Sequence, residues 1–176
     1  MGGSGRLVKR DGEDGAPERP SAWGVAVKQL AMRALTTEEL RRRLRRSGYT
    51  EDEIQPVLAR LIASRYIDDA EYARAWAHAR AHRHSVGPAR VAQELRAKGI
   101  AEAEIAPAIR DAFGEGGDQG IAEAAASRKV AALRGVAPDA ARRRLGAYLS
   151  RKGFAAEIVL ALCRKYFPHG QDPIDS

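Results

Sequence analysis

The sequence predicts an all-α protein of three tandem three-helix repeats, stacked into an elongated array whose curvature it leaves open. One pattern occurs three times, with its glycines Gly48, Gly99 and Gly153 roughly 50 residues apart, a period typical of repeat architectures. Signals for the start of a helix accompany these copies. No segment alternates apolar and polar residues with the period of two that a half-buried strand requires.

The three copies share one order of residue types: two apolar residues four apart, a glycine, then further apolar residues. They consist of Leu40, Leu44, Gly48, Tyr49, Ile54 and Leu58; of Val91, Leu95, Gly99, Ile100, Ile105 and Ile109; and of Leu145, Leu149, Gly153, Phe154, Ile158 and Leu162. Apolar residues four apart form a stripe on one helix face, and glycine ends the helix because it accepts the left-handed conformation. Each copy therefore predicts two helices joined by a glycine turn.

Polar residues and prolines mark several helix starts. The markers are the pairs Thr36–Glu39, Thr50–Glu53 and Asp68–Glu71, which have the spacing of a capping box, and the first-turn prolines Pro88 and Pro138. Together with the apolar stripes they predict nine helices, at residues 22–34, 37–47, 51–64, 69–83, 88–98, 102–113, 118–133, 138–152 and 155–167.

The helices group into three repeats between two tails. The predicted units are a disordered tail at 1–20, repeat 1 at 21–66, repeat 2 at 67–116, repeat 3 at 117–167 and a second disordered tail at 168–176. The first tail is rich in glycine, proline and charge without apolar periodicity, and prolines interrupt the polar second tail. Short connections between the helices favour local packing, with a modest core in each repeat.

The composition limits the classes of partner and the kinds of protein that fit this sequence. Lys and Arg number 30 against 23 Asp and Glu, a net charge of +7, which suits an anionic partner such as nucleic acid or an acidic protein surface. An arginine-rich composition without a binding role is the alternative. The single cysteine, Cys163, excludes an internal disulfide. We expect a cytoplasmic monomer, because the sequence has no membrane-spanning run and no long exposed apolar stripe.

No set of residues predicts catalysis, a metal site or a cofactor site. His78 and His82 are one helical turn apart, but Ala79 stands where a zinc protease has its catalytic glutamate. Asp68 and Asp69 are adjacent, so they cannot converge on one substrate atom. The glycines between 114 and 120 lack the Lys-Ser/Thr of a phosphate loop. The sequence predicts a binding protein that is not an enzyme.

Basic side chains on the middle helix of each repeat are the candidate binding residues. They lie away from the apolar stripe and are Arg42, Arg45 and Arg46, then Arg90 and Arg96, then Arg143, Arg144 and Arg151. Guanidinium groups suit two-pronged contacts with carboxylates and phosphates. These arginines predict a basic track along the array, although solvated helix faces without a partner would look the same.

Three segments resemble motifs of the RecX family, the bacterial regulators of the RecA recombinase. Residues 64–73, SRYIDDAEYA, resemble the signature G-Y-(L/I)-(D/N)-D-x-x-(F/Y)-A, with Arg65 in place of the usual glycine. Residues 37–49 and 87–100 are similar to two further family motifs, each a helix that ends in a glycine turn. The resemblance spans about residues 25 to 167, in order and with suitable spacing.

The resemblance implies a non-enzymatic modulator, mainly an inhibitor, that binds RecA–DNA filaments. It implies lower ATPase, strand-exchange and co-protease activities of RecA, and so a role in DNA repair, homologous recombination and the SOS response. Contact with single- or double-stranded DNA is a further implication, since some members of the family bind DNA. Two alternatives stay open from the residues alone: a stand-alone nucleic-acid-binding module and a helical-repeat scaffold for another protein.

Overall fold

The computed structural model describes residues 19–114 and 116–168, and within these ranges it is all-α, as predicted. Its helices are α1 (Ala22–Met32), α2 (Thr37–Arg46), α3 (Glu51–Ala63), α4 (Asp69–His78), α5 (Pro88–Ala97), α6 (Glu102–Phe113), α7 (Gly117–Ala131), α8 (Pro138–Lys152) and α9 (Ala156–Tyr166). The predicted tails, 1–20 and 168–176, lie almost wholly outside the described residues. At the inner edge of the first, Arg19 donates hydrogen bonds to the Gly48 carbonyl and to Glu53.

The predicted capping residues explain where α2 and α4 begin. The Thr36 hydroxyl accepts a hydrogen bond from the Glu39 amide at 3.1 Å, and the Glu39 carboxylate accepts one from the Thr36 amide at 3.4 Å, which completes a capping box. Asp68 accepts from the Glu71 amide at 2.8 Å. These bonds satisfy amide groups that a helix start leaves without partners.

One predicted helix differs from the structure. The sequence predicts a single α-helix over residues 69–83, but the α-helix ends at His78 and a π-helical segment, Ala79–Arg83, follows. The wider turn keeps Ala81 fully buried and brings Arg80 to Glu94 on α5, with two hydrogen bonds of 2.7 Å. This local change follows from contacts with another helix, which hydrophobic periodicity cannot report.

The buried side chains fall into three clusters along the chain. The first gathers side chains of α1–α3, including Leu40, Leu44, Ile54 and Leu61; the second those of α4–α6, including Val91, Leu95, Ile105 and Phe113; and the third those of α7–α9, including Leu145, Leu149, Leu162 and Cys163. Alanine fills much of the second and third clusters. Each set of three helices thus buries its own small core.

The first junction joins the amino end of α2 to the carboxyl end of α5. The Thr36 hydroxyl donates to the Lys98 carbonyl at 2.7 Å, and the Lys98 ammonium lies 2.9 Å from Glu39 Oε1. Asp69 adds a further bond across it, because its carboxylate accepts from the Thr37 amide at 2.9 Å.

The second junction repeats this arrangement between the amino end of α5 and the carboxyl end of α8. The Gly87 amide donates to the Lys152 carbonyl at 2.7 Å, and the Ala89 amide donates to the Gly153 carbonyl at 3.3 Å. The Lys152 ammonium donates to the His84 carbonyl at 2.7 Å. The three middle helices α2, α5 and α8 therefore meet end to end.

Gly153 should be far less replaceable than Gly48, although both have a left-handed backbone, with φ of +87° and +85°. A Cβ atom on Gly48 meets only open space, so Gly48→Ala should cost about 1 kcal/mol of unfolding free energy. A Cβ atom on Gly153 would collide with the Arg90 backbone, and Gly153→Ala should cost about 1–3 kcal/mol more. Urea unfolding of both variants measures the difference, and equal losses would contradict the close packing of the second junction.

Candidate anion-binding surface

All eight arginines of the predicted track are solvent-exposed. Because the middle helices meet end to end, arginines of neighbouring repeats come close together at the junctions. Arg42 reaches from α2 to the Ala97 carbonyl at the end of α5, a contact of 3.4 Å beside Arg96. Arg90 of α5 and Arg151 of α8 line one cleft at the second junction. The structure thus joins members of the track from different repeats, while Arg143 and Arg144 lie earlier on α8.

Half of the track is paired with carboxylates of the same chain. The pairs are Arg42–Glu38 at 2.8 Å, Arg45–Glu51 at 2.7 Å, Arg90–Glu94 at 3.3 Å and Arg96–Glu102 at 3.0 Å. The hydrogen bond from Arg96 holds the pKa of Glu102 below its ordinary value. Ion pairs of exposed arginines contribute little to stability, but each pair engages part of a guanidinium group that an external anion would need.

The other half is not paired in this way. Arg46, Arg143, Arg144 and Arg151 form no ion pair with a residue in 19–114 or 116–168. Arg46 does donate to the Arg42 carbonyl at 3.2 Å, which holds its side chain along α2. These four arginines are the members of the track most available to a partner.

Two lysines outside the predicted track contribute to the junctions. Lys98 contacts Glu39, and its ammonium also lies 4.3 Å from the centre of the Trp76 ring. Lys152 occupies the matching place at the second junction. The available signal was their shared position, directly before the glycine that ends the helix in repeats 2 and 3.

The ion pair at the first junction should stabilise the protein in a pH-dependent way. Burial raises the pKa of Glu39, but the hydrogen bond and charge of Lys98 outweigh it, so that the pKa lies below 4.5. Burial lowers the pKa of Lys98, but Tyr72 and Glu39 outweigh it and the pKa lies above 10.5. The stabilisation is therefore complete between these two values. It is lost as the pH falls through the lowered pKa or rises through the raised one.

Glu39→Gln tests this expectation, because glutamine can still complete the capping box. At pH 7 the variant should lose about 1–3 kcal/mol of unfolding free energy, the size expected for a hydrogen bond to a charged group. The difference from the unmodified protein should shrink below pH 4.5. Urea unfolding over a pH series measures it, and a difference that stays constant into acid would show that the pair has no such role.

A cationic cleft of about 600 Å³ opens at the second junction. Its lining includes the side chains of Arg80, Arg90, Gln93, Arg151 and Lys152. One carboxylate, Glu94, borders it and accepts two hydrogen bonds from Arg80. Burial raises the pKa of Glu94, but Arg80 outweighs it and the net shift is downward, so this carboxylate is ionised and already occupied.

Residues of the 64–73 segment border an apolar groove at the first junction, about 470 Å³ in volume and lined in part by Tyr66, Ile67, Tyr72 and Trp76. Tyr66 is 62% exposed. Arg65, where the family motif usually has glycine, adopts a left-handed backbone with φ of 55°. The backbone therefore has the conformation that favours glycine, which explains why the motif carries one there.

The candidate histidines and the cysteine are held by local contacts or by burial. His78 and His82 stack on one another, His78 lies 2.8 Å from Asp111, and no group of three metal-ligating residues occurs in the described part of the chain. Cys163 is buried, and burial raises the pKa of its thiol. Of the helices described, none has both the length and the apolar character that crossing a bilayer requires.

The fold and its surface define a tandem three-helix-repeat protein whose middle helices carry exposed arginines. Two family models match it: the first three-helix domain of RecX at residues 22–61 and the second at residues 68–109. Regulatory protein RecX of Amycolatopsis mediterranei is 34% identical over 136 residues, 77% of either chain. That of Halorhodospira halophila is 34% identical over 138 residues, 78% of this chain and 83% of its own. The chain belongs to the RecX family.

Solved structures show the same fold. A crystal structure of regulatory protein RecX superposes with a TM-score of 0.72 at 23% identity, over 80% of this chain and 69% of the other. RecX from Lactobacillus salivarius superposes with a TM-score of 0.72 at 19% identity, over 82% and 94%. The resemblance in the three motifs is therefore confirmed, and the chain has a regulatory role of the RecX kind.

Proposed function

We propose that this chain is a non-enzymatic modulator, mainly an inhibitor, of the RecA recombinase. It binds RecA–DNA filaments in the cytoplasm as a monomer and lowers their ATPase, strand-exchange and co-protease activities. Homologous recombination, DNA repair and the SOS response are thereby restrained. Family membership supports the regulatory role. The predicted basic track on α2, α5 and α8 supports contact with an acidic partner.

One observation supports the choice of surface: the middle helices meet end to end, with Arg42 at the end of α5 and Arg90 in one cleft with Arg151. A partner with a long acidic groove can then contact several repeats at once. The proposed contact residues are Arg42, Arg45, Arg46, Arg90, Arg96, Arg143, Arg144 and Arg151, and the four that form no ion pair with a described residue should contribute most.

Titration of the full chain into RecA on single-stranded DNA tests the proposal. ATP hydrolysis should fall at amounts of this protein well below those of RecA, and sedimentation should show the chain bound to filaments. Unchanged hydrolysis together with no co-sedimentation would overturn the proposal and favour a scaffold for another protein. Strong binding to bare DNA without an effect on RecA would favour the stand-alone nucleic-acid-binding module.

A further inference from the structure

The two junctions offer an internal comparison, because they join equivalent parts of successive repeats. Lys98 and Gly99 at the end of α5 correspond to Lys152 and Gly153 at the end of α8. Leu40 corresponds to Val91 in the repeated pattern. The residue before each of these, the third of its helix, is Glu39 in α2 and Arg90 in α5. One position therefore carries opposite charges at the two junctions.

At the first junction the lysine is neutralised within the chain. The Lys98 ammonium lies 2.9 Å from Glu39 Oε1 and faces the rings of Tyr72 and Trp76. Both members of the pair are largely buried, at 17% and 18% exposure. The acid and base satisfy each other, and no charge is left for a ligand.

At the second junction the corresponding lysine faces cations. Lys152 donates to the His84 carbonyl, and it forms no ion pair in the described part of the chain. Burial lowers its pKa, and the charges of Arg80 and Arg128 lower it further. Arg90 and Arg151 line the same cleft. Four cationic side chains therefore line the cleft, and among the described residues Glu94 is the one carboxylate paired with them, an arrangement that an incoming anion would stabilise.

We propose that this cleft binds the phosphates of a nucleic-acid strand. A phosphate would occupy the place at the second junction that the Glu39 carboxylate occupies at the first. The inference goes beyond the proposed regulation of RecA, because it assigns a place and named residues to a DNA contact that the family resemblance implies only in general and that the chain makes by itself. A single protein carboxylate would offset one of the excess positive charges, whereas a strand supplies several phosphates side by side. Guanidinium, ammonium, Gln93 amide and Ser150 hydroxyl groups all donate to phosphate oxygens.

The lining also indicates how the strand is held. Among the described residues, its lining includes no aromatic side chain on which a base could stack, although the Tyr148 ring lies 5.6 Å from the Lys152 ammonium. Contacts to phosphate alone carry no sequence information, so binding should be independent of sequence and should weaken as salt rises.

Arg90→Glu is the decisive variant, because it gives the second junction the acid that the first one has. The backbone contacts of Gly153 with residue 90 are preserved, and the partner that Lys152 gains offsets the lost ion pair between Arg90 and Glu94, so the melting temperature should change little. Fluorescence anisotropy with a labelled single-stranded oligothymidine should show affinity about tenfold lower at low salt, with a salt slope smaller by about 1. Lys152→Gln, which leaves position 90 unchanged, should weaken binding in the same direction.

Arg164→Glu is the matched control: it makes the same charge change on an exposed residue of α9, away from the cleft. It should leave oligonucleotide affinity within about twofold, since only the diffuse electrostatic contribution changes. Equal losses in Arg164→Glu and Arg90→Glu would overturn the proposal. So would unchanged oligonucleotide binding with weaker RecA binding in Arg90→Glu, which would make the ligand a protein carboxylate.

Competition separates a strand from a free nucleotide as the source of phosphate. ATP should displace the oligothymidine poorly, and ATP binding that matches it and disappears in Arg90→Glu would overturn the assignment to a strand. Because these measurements contain no RecA, their failure leaves the proposed regulation of RecA untouched, and the ATPase titration tests that separately.

Discussion

Charge reversal of Arg46, Arg143, Arg144 and Arg151 to glutamate should raise the concentration of this protein that half-inhibits RecA ATPase by at least about tenfold, the equivalent of 1.4 kcal/mol. These four guanidinium groups form no ion pair within the described ranges, so their full charge can reach a partner, although Arg46 uses one donor on the Arg42 carbonyl. Reversal also places like charges against the acidic groups that the track is proposed to contact, which costs further binding energy. The measurement is ATP hydrolysis by RecA on single-stranded DNA.

A second fourfold variant keeps the net charge change and moves it elsewhere. Arg33, Arg110, Arg134 and Arg164 are exposed and lie outside the middle helices. Their reversal to glutamate should change half-inhibition by less than about threefold, the scale of a diffuse electrostatic effect. Circular dichroism should show unchanged helicity in both variants. Equal losses would mean that overall charge, and not the track, governs inhibition.

Leu145→Ala should be among the most damaging single core substitutions in repeat 3, costing about 2–5 kcal/mol of unfolding free energy. Leu145 is 0% exposed and belongs to a buried cluster with several small side chains, including Ala122, Ala126 and Ala141. Alanines are short and cannot extend into the space that a missing leucine leaves, so a cavity persists. Chemical denaturation with urea measures the loss.

Hydrogen exchange can show where the damage falls. Each set of three helices has its own buried cluster, and repeat arrays lose stability locally, so exchange should accelerate in α7–α9 and much less in α1–α3. Leu160→Ala is the control, because Leu160 is 54% exposed and should cost less than about 0.5 kcal/mol. Uniform acceleration along the whole chain would instead indicate a single cooperative unit.

Local signals account for the features that the sequence predicted well. The starts of α2 and α3 follow from capping residues within three positions of one another. The glycine turns at Gly48, Gly99 and Gly153 follow from a backbone conformation that other residues resist. The outward orientation of the basic residues follows from the apolar stripe on the same helix. Each inference needs only residues that are neighbours in the chain or on one helix face.

The features that sequence reasoning missed depend on residues far apart in the chain. Lys98 neutralises Glu39 across 59 positions, and Lys152 reaches the His84 carbonyl across 68. No periodicity reports such a contact before the repeats are stacked. The pairing of Arg96 with Glu102 was missed for a related reason, since the two residues face each other only once the chain turns at Gly99.

Because the middle helices meet end to end, their helix dipoles point the same way along the array. Each helix carries a partial positive charge at its amino end and a partial negative charge at its carboxyl end. At both junctions a carboxyl end meets an amino end, so the internal charges offset one another. The amino end of α8 and the carboxyl end of α2 remain as opposite poles. A partner with its own direction, such as a helical filament or a nucleic-acid strand, should therefore bind with different energies in its two orientations.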